Sequence, residues 1–335
     1  VELKKYDKSD EKNARLKMRA KEANELACKY YQVCLAKNKA VCEYVFYGRK
    51  LNRNTIVEFR IGYAPNTKNS LVEFLKKRGY SVDEAKEAGL INRFNGDLFK
   101  GRMMIPFLDA NTGEVIGFTG RIIEKGEPKY LNTPETRLFN KGRFIFGLSQ
   151  AKEAIRKNNF VVIVEGNMDV ISSHQAGVKE AVATSGTAMT ENHLKILSRF
   201  TTDIRLAYDG DEAGIKAAER AIMLAGKIGI SLSVISDYGK AKDPDELIKI
   251  DPKLWQECVE NRMPAVDWIL KKYENKLNLM TGPGKKEYSD MAMKIISYIE
   301  DPVEKKHYEQ LVARKLDVTV EDLQAKKITT ETIRL

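Results

Sequence analysis

The chain has 335 residues and 43% hydrophobic content, enough for two or three packed units rather than one. Its 57 Lys and Arg against 47 Asp and Glu give a charge of +10, which argues for a polyanionic partner. With no run of eighteen apolar residues and no signal-peptide pattern, a transmembrane helix is excluded and a soluble, cytoplasmic protein is expected.

Residues 10–37 place Leu16, Ala20, Ala23, Leu26, Ala27 and Tyr30 at a helical period and predict one long amphipathic helix. A second helix is expected over 39–47, and Asn54 or Thr55 is the expected cap of a short third. Ile61 to Pro65 reads as a turn, followed by helices near 69–78 and 82–88, the latter closed by Gly89. From 102 the period changes to strands: RMMIPFLDA and EVIGFTGRII flank Asn111-Thr112-Gly113, a hairpin signal. A mixed α/β unit over 1–150 follows from this pattern. Between Gly117 and Ala151, Arg121, Lys125, Lys129, Arg137, Lys141 and Arg143 lie among turn residues, where cations suit phosphate contacts. Tyr130, Phe139, Phe144 and Phe146 in the same stretch read as core. The four cysteines, Cys28, Cys34, Cys42 and Cys258, lack C-x-x-C spacing, so reduced thiols are expected rather than a zinc knuckle or a disulfide framework. Val1 in place of Met suggests a fragment or a processed chain.

Val161 to Val164 form a short β-branched run, a buried strand that ends at Glu165-Gly166. A helix from about Met168 to Ala176, a strand over 179–184, the Ser185-Gly186-Thr187 turn, of a size for phosphate, and a helix over 191–198 capped by Thr190 come next. A strand over 203–208 leads into Asp209-Gly210-Asp211, then a helix over 212–228 and a fourth strand at 231–235. This alternation predicts a parallel, doubly wound sheet with right-handed crossovers over 151–245. Glu165, Asp209 and Asp211 then stand at its carboxyl edge, where open α/β sheets place their sites. Clustered carboxylates repel one another unless a cation sits among them, and Mg²⁺ suits such hard oxygen donors. Asp169 is either a helix-dipole acid or a support for that cluster. Asp243-Pro244-Asp245-Glu246 reads as a helix start, with Asp at the cap and Pro behind it, or as two further ligands. His174, His193 and His307 show no ligand spacing. Beyond 246 the pattern is helical, broken at Pro283-Gly284, and predicts a helical subdomain over 246–335.

The acidic stretches EGNMDV, YDGDEAG and DPDE resemble the TOPRIM domain shared by bacterial primases, topoisomerases and some nucleases, over roughly 159–245. GFTGR, PKYLNTPET, FNKG and FGLSQAK precede them in order, and the set resembles the RNA-polymerase core of bacterial DnaG-type primases from about Ile61 to Leu247. The resemblance implies an α/β fold, α+β overall, with a TOPRIM sheet between an N-terminal mixed subdomain and a C-terminal helical one. It implies template-directed RNA primer synthesis on single-stranded DNA from NTPs during replication, by two-metal nucleotidyl transfer. Glu165, Asp209, Asp211, Asp243 and Asp245 are the implied ligands of Mg²⁺, with Mn²⁺ as a substitute, and Glu165 is a ligand alone or also a general acid or base. Arg121, Lys129 and Lys141 match cations of the family's basic groove. Arg49 is a further match, beside Lys50 where the family has Gly. Asn167 stands where the family more commonly carries an aromatic residue. A monomer is expected. A zinc module upstream and a helicase-binding module downstream are expected to lie outside this chain. The competing expectations are another TOPRIM enzyme, a topoisomerase or nuclease, and a DNA-binding clamp without catalysis.

Overall fold

In the computed structural model, which describes residues 8–325 apart from 187, 209, 237, 240 and 242, helix α1 (Lys8–Ala36) covers the predicted span. Helix α2 (Lys39–Glu43) runs on into a π-helical turn, Tyr44–Gly48. Helix α3 (Arg53–Glu58) is capped by Asn52, whose Oδ1 accepts the Thr55 N–H at 2.9 Å. The cap therefore lies ahead of both Asn54 and Thr55, because Asn52 is the residue with extended backbone (ψ 167°) just outside the first turn. The expected turn at 61–65 is instead strand β1 (Gly62–Ala64), held antiparallel to β2 (Arg102–Leu108) with Tyr63 opposite Met103. Gly62 is required there: a Cβ would stand 2.6 Å from the carbonyl carbon of Tyr31, so α1 can lie on β1 only if residue 62 has no side chain.

Helix α4 (Ser70–Lys76) has no capping bond from Asn69. The buried Asp97 does that work, accepting the N–H groups of Leu71 at 3.0 Å and Val72 at 2.9 Å. Burial pushes the Asp97 carboxyl up, against the pull of these donors. Helix α5 (Val82–Glu87) opens with a Ser81/Glu84 capping box. Strands β2 and β3 (Val115–Ile122) form the predicted hairpin, and β4 (Tyr130–Asn132) adds a fourth strand where the sequence reads as irregular. All pairings in this β1-β2-β3-β4 sheet are antiparallel.

Helix α6 (Leu148–Asn158) leads to the second sheet, ordered β6-β5-β7-β8-β9. Its members are β5 (Val161–Val164), β6 (Ala181–Ala183), β7 (Ile204–Ala207), β8 (Leu232–Val234) and β9 (Met263–Pro264). The first four are parallel, joined by α7 (Asn167–Gln175), α8 (Glu191–Leu197) and α9 (Glu212–Gly226). The antiparallel β9 is an unexpected fifth strand, and its Pro264 is tolerated because it lies at the sheet's edge. Val161 to Val164 are buried throughout, each side chain stabilising by roughly 1.5–3 kcal/mol. Arg205 of β7 is also buried. It pairs with Asp203 at 2.7 Å, donates to the Val259 carbonyl at 2.7 Å and covers the Phe160 ring.

Helices α10 (Pro244–Ile250), α11 (Pro252–Glu260), α12 (Ala265–Lys276), α13 (Gly282–Ile296) and α14 (Pro302–Leu316) complete the element order. Pro283 and Gly284 lie in the first turn of α13 rather than between helices, with Thr281 as its cap. At Gly226 an added Cβ would meet the Tyr298 carbonyl oxygen at 2.0 Å, so the end of α9 presses backbone to backbone on the residue just past α13. The chain forms two compact units. One takes residues up to Lys152 with Val170–Gln175, the other Glu153–Asp169 and residues from Ala176 on. Among the described residues no helix is long and apolar enough to cross a membrane.

Candidate functional site

The strand order fixes where a site can form in the second unit. From β5 the chain moves outward to β6 on one side, and from β7 outward to β8 on the other, so the loops after β5 and β7 diverge. A crevice between the carboxyl ends of β5 and β7 is the switch point of a doubly wound sheet. Val164 stands opposite Ala207, and Glu165 and Tyr208 therefore leave the sheet at the same level. Tyr208 is buried, and its hydroxyl is pushed up by that burial and further by the negative charge of Glu165. Glu165 itself is exposed. Asp209 lies outside the described residues.

Asp211 caps α9, with Oδ1 accepting the Gly214 N–H at 2.8 Å, which leaves Oδ2 as a donor for a cation. Asp169 reaches back from the first turn of α7 to accept the Gly166 N–H at 2.9 Å. It thereby fixes the backbone immediately after Glu165. The buried Asn167 accepts the Ser185 hydroxyl at 2.8 Å and so joins the loop after β5 to the loop after β6. In the predicted phosphate-sized turn, the Ser185 hydroxyl thus serves the neighbouring loop, and Thr187 lies outside the described residues. Asn167 carries no sequence signal beyond its departure from an aromatic, and its joining role was missed.

Asp243 caps α10, accepting the Glu246 N–H at 2.7 Å, and Asp245 pairs with Lys249 one turn on. His193 is buried and takes part in the Thr190 capping box, its Nδ1 accepting the Thr190 N–H at 3.2 Å. Among the described residues no group of three His, Cys, Asp or Glu side chains is gathered closely enough to hold a metal ion. The described donors flanking the switch point, Glu165 and Asp211, are both carboxylates. Such hard oxygen donors fit a divalent ion of the Mg²⁺ kind.

The first unit carries the cations. Arg121 lies on β3 opposite Tyr130 of β4. Its guanidinium donates to the Tyr130 hydroxyl and, through Nε at 3.3 Å, to the Tyr44 hydroxyl. Tyr44 opens the π-helical turn, and its carbonyl accepts the Arg49 N–H at 2.8 Å. The Tyr44 hydroxyl therefore holds the Arg121 side chain, while its carbonyl closes the turn on the Arg49 backbone, a role its place in a helical pattern does not announce. Phe139, Phe144 and Phe146 are buried as expected, whereas Tyr130 is half-buried and serves Arg121. Lys129 is exposed just ahead of β4, and its N–H donates to Glu127. Lys141 is half-buried, with its N–H on Glu135 at 2.8 Å.

Three family models match in succession. Residues 30–152 match the N-terminal domain of the DNA primase catalytic core, 162–248 a Toprim-like domain, and 266–321 the DnaB-helicase binding domain of primase. The last match overturns the expectation that a helicase-binding module lies outside the chain, since the helices beyond 265 fall within that model. The DNA primase of Listeria monocytogenes is 34% identical over 312 residues, 90% of this chain and 50% of that protein. The DNA primase of Clostridium acetobutylicum is 35% identical over 88% of this chain and 49% of its own length. The chain thus spans about half the length of the curated relatives it matches. Among solved structures, the zinc-binding and RNA polymerase domains of the Aquifex aeolicus primase superpose with a TM-score of 0.79 at 31% identity, covering 97% of this chain and 77% of that one. A DnaG primase catalytic domain bound to ssDNA gives a TM-score of 0.79 at 28% identity over 92% and 99% of the two chains. By sequence, by the succession of its domains and by its fold, this chain belongs to the bacterial DnaG-type DNA primase family.

Proposed function

We propose that this chain is the catalytic core of a primase, joining ribonucleotides into short RNA primers on single-stranded DNA. The observation that carries the reading is the acidic switch point, with Glu165 at the end of β5 level with Tyr208 at the end of β7 and with Asp211 at the head of α9. Toprim domains of primases generally depend on a metal ion. Here Glu165, Asp209 and Asp211 would hold one Mg²⁺, with Mn²⁺ as a substitute, and Asp243 and Asp245 would serve a second. When bound, such ions lower the pKa of an attacking 3′-hydroxyl and neutralise charge on the reacting phosphates.

The protein groups have separate tasks. Asp169 and Asn167 hold the loop that carries Glu165, so its carboxylate meets the reaction without a cost of reordering. Glu165, exposed at the edge, would bind a cation, alone or together with a role as general acid or base. Arg49, Arg121, Lys129 and Lys141 attract the phosphates of template, primer and NTP without reading sequence. The Tyr44 and Tyr130 hydroxyls keep the Arg121 guanidinium in place for this. The helices matched over 266–321 are the segment by which the chain would meet a replicative helicase. The enzyme would work as a monomer in the cytoplasm, at the replication fork.

Incorporation of labelled ribonucleotides on a single-stranded DNA template, with Mg²⁺ or Mn²⁺ and with each component omitted in turn, tests the proposal. Product that requires template, NTP and metal together is expected. Product that forms without template, or relaxation or nicking of supercoiled plasmid in its place, would overturn it in favour of another TOPRIM chemistry.

A further inference from the structure

One cation near the acidic switch point has no place in the scheme above. Lys272 lies in the second turn of α12, half-exposed. Its Nζ is 3.4 Å from the position a Cβ on Gly210 would occupy, and Gly210 is the residue between Asp209 and Asp211. One turn further on, Lys276 pairs with Glu212 at 2.9 Å, so α12 meets the head of α9 through two successive lysines. Lys276 has its carboxylate. Lys272 has none among the described residues, and its ammonium sits 5.2 Å from the centre of the buried Trp268 ring. An aromatic face holds an ammonium in place while leaving its three N–H donors to other partners.

A lysine is a compact point charge on a flexible stem and binds phosphate without demanding a fixed fork geometry. Here such a charge stands at the backbone of Gly210, without a carboxylate of its own among the described residues. The anion that suits it is one already drawn to that loop by divalent ions and carrying charge in excess of theirs. A polyphosphate tail meets both conditions, whereas a nucleic-acid backbone brings single charges spaced along a strand. We infer that Lys272 binds the β- and γ-phosphates of the incoming nucleoside triphosphate beside the Asp209-Gly210-Asp211 loop. This inference rests on the primase reading for its ligand, while the residue and its surroundings stand independently of that reading. It also gives α12, a helix within the segment matched to helicase binding, a direct part in holding substrate.

The test compares wild type with Lys272→Ala, Lys272→Arg and, as a neighbouring control, Lys276→Ala. Binding of an α,β-methylene nucleoside triphosphate and of the corresponding monophosphate is measured by calorimetry with Mg²⁺, alongside single-stranded DNA binding. Lys272→Ala is expected to weaken triphosphate binding about tenfold or more, the scale of one charge-assisted contact. Monophosphate and DNA binding should hold, Lys272→Arg should recover part of the loss, and Lys276→Ala should bind as wild type. Unchanged triphosphate affinity in Lys272→Ala overturns the inference. So does a parallel loss of DNA binding, which would assign the lysine to the polynucleotide, or an equal loss of monophosphate, which would mean the loop had moved. If wild type makes no template-dependent RNA yet Lys272→Ala still loses triphosphate selectively, the primase reading fails and the phosphate contact stands.

Discussion

Asp211 has two jobs that substitution can separate. Its Oδ1 satisfies the Gly214 N–H at the head of α9, and in the proposed mechanism Oδ2 meets a divalent ion. Asn caps a helix as well as Asp does, so Asp211→Asn keeps the first job and abolishes the charge needed for the second. Asp211→Ala loses both. From the capping bond alone, Asp211→Ala should cost about 1 kcal/mol without metal, a fall of roughly 2–4 °C in melting temperature, and Asp211→Asn should stay within about 0.5 kcal/mol of wild type. Metal separates the two variants from wild type in another way. An ion at a hundred times its Kd stabilises the native state by about 2.7 kcal/mol, so Mn²⁺ should raise the melting temperature of wild type by several degrees and leave both variants nearly unmoved. Thermal melts with and without Mn²⁺, run beside a ribonucleotide-incorporation assay, read all three quantities. A full Mn²⁺ shift in Asp211→Asn, or synthesis above a tenth of wild type, would refute the assignment of Asp211 to the metal.

Lys129→Ala and Lys141→Ala should each weaken single-stranded DNA binding and reduce its salt slope by about 0.7, read from affinities at several salt concentrations. The hydrogen bond from Arg19 at 2.8 Å holds Glu84 below the ordinary carboxylate range, so its contribution is complete above that range and is lost as pH falls through the lowered value. Urea melts of Arg19→Met should accordingly lose less stability on acidification below about pH 4 than wild type does. The Cys28 thiol, pushed up to about 12 by burial, should resist a thiol reagent at pH 8 until denaturant exposes it. Gly226→Ala should destabilise by about 2 kcal/mol, an overpacking cost near 3 less a helix-propensity gain near 1, whereas an uncrowded helix position would gain about 1.

Much of the second unit was legible because its parallel strands are buried on both faces and read as short apolar runs: VVIV ends at Glu165 without ambiguity. Positions decided by partners distant in sequence were not. Residues 61–65 carry a turn's Gly and Pro, yet β2 pairs with them; β4 and β9 are too short to show a period. Asn52, Asn54 and Thr55 are all competent caps by residue type, and only the backbone distinguishes them. Asp97 caps a helix 25 residues away, beyond any local capping rule. At the site, the acids announce themselves by following strands. Asn167, Tyr44 and Lys272 act through tertiary contacts: a hydroxyl from the next loop, an arginine from the hairpin, a loop on another strand.

Helix α9 spans 15 residues, about 22 Å, with a carboxylate at its head and Gly226 at its tail wedged against a carbonyl. A rod gripped so closely at one end has little freedom to tilt at the other. The position of Asp211 is therefore tied to the packing at the opposite end of the helix, where Gly226 meets the Tyr298 carbonyl.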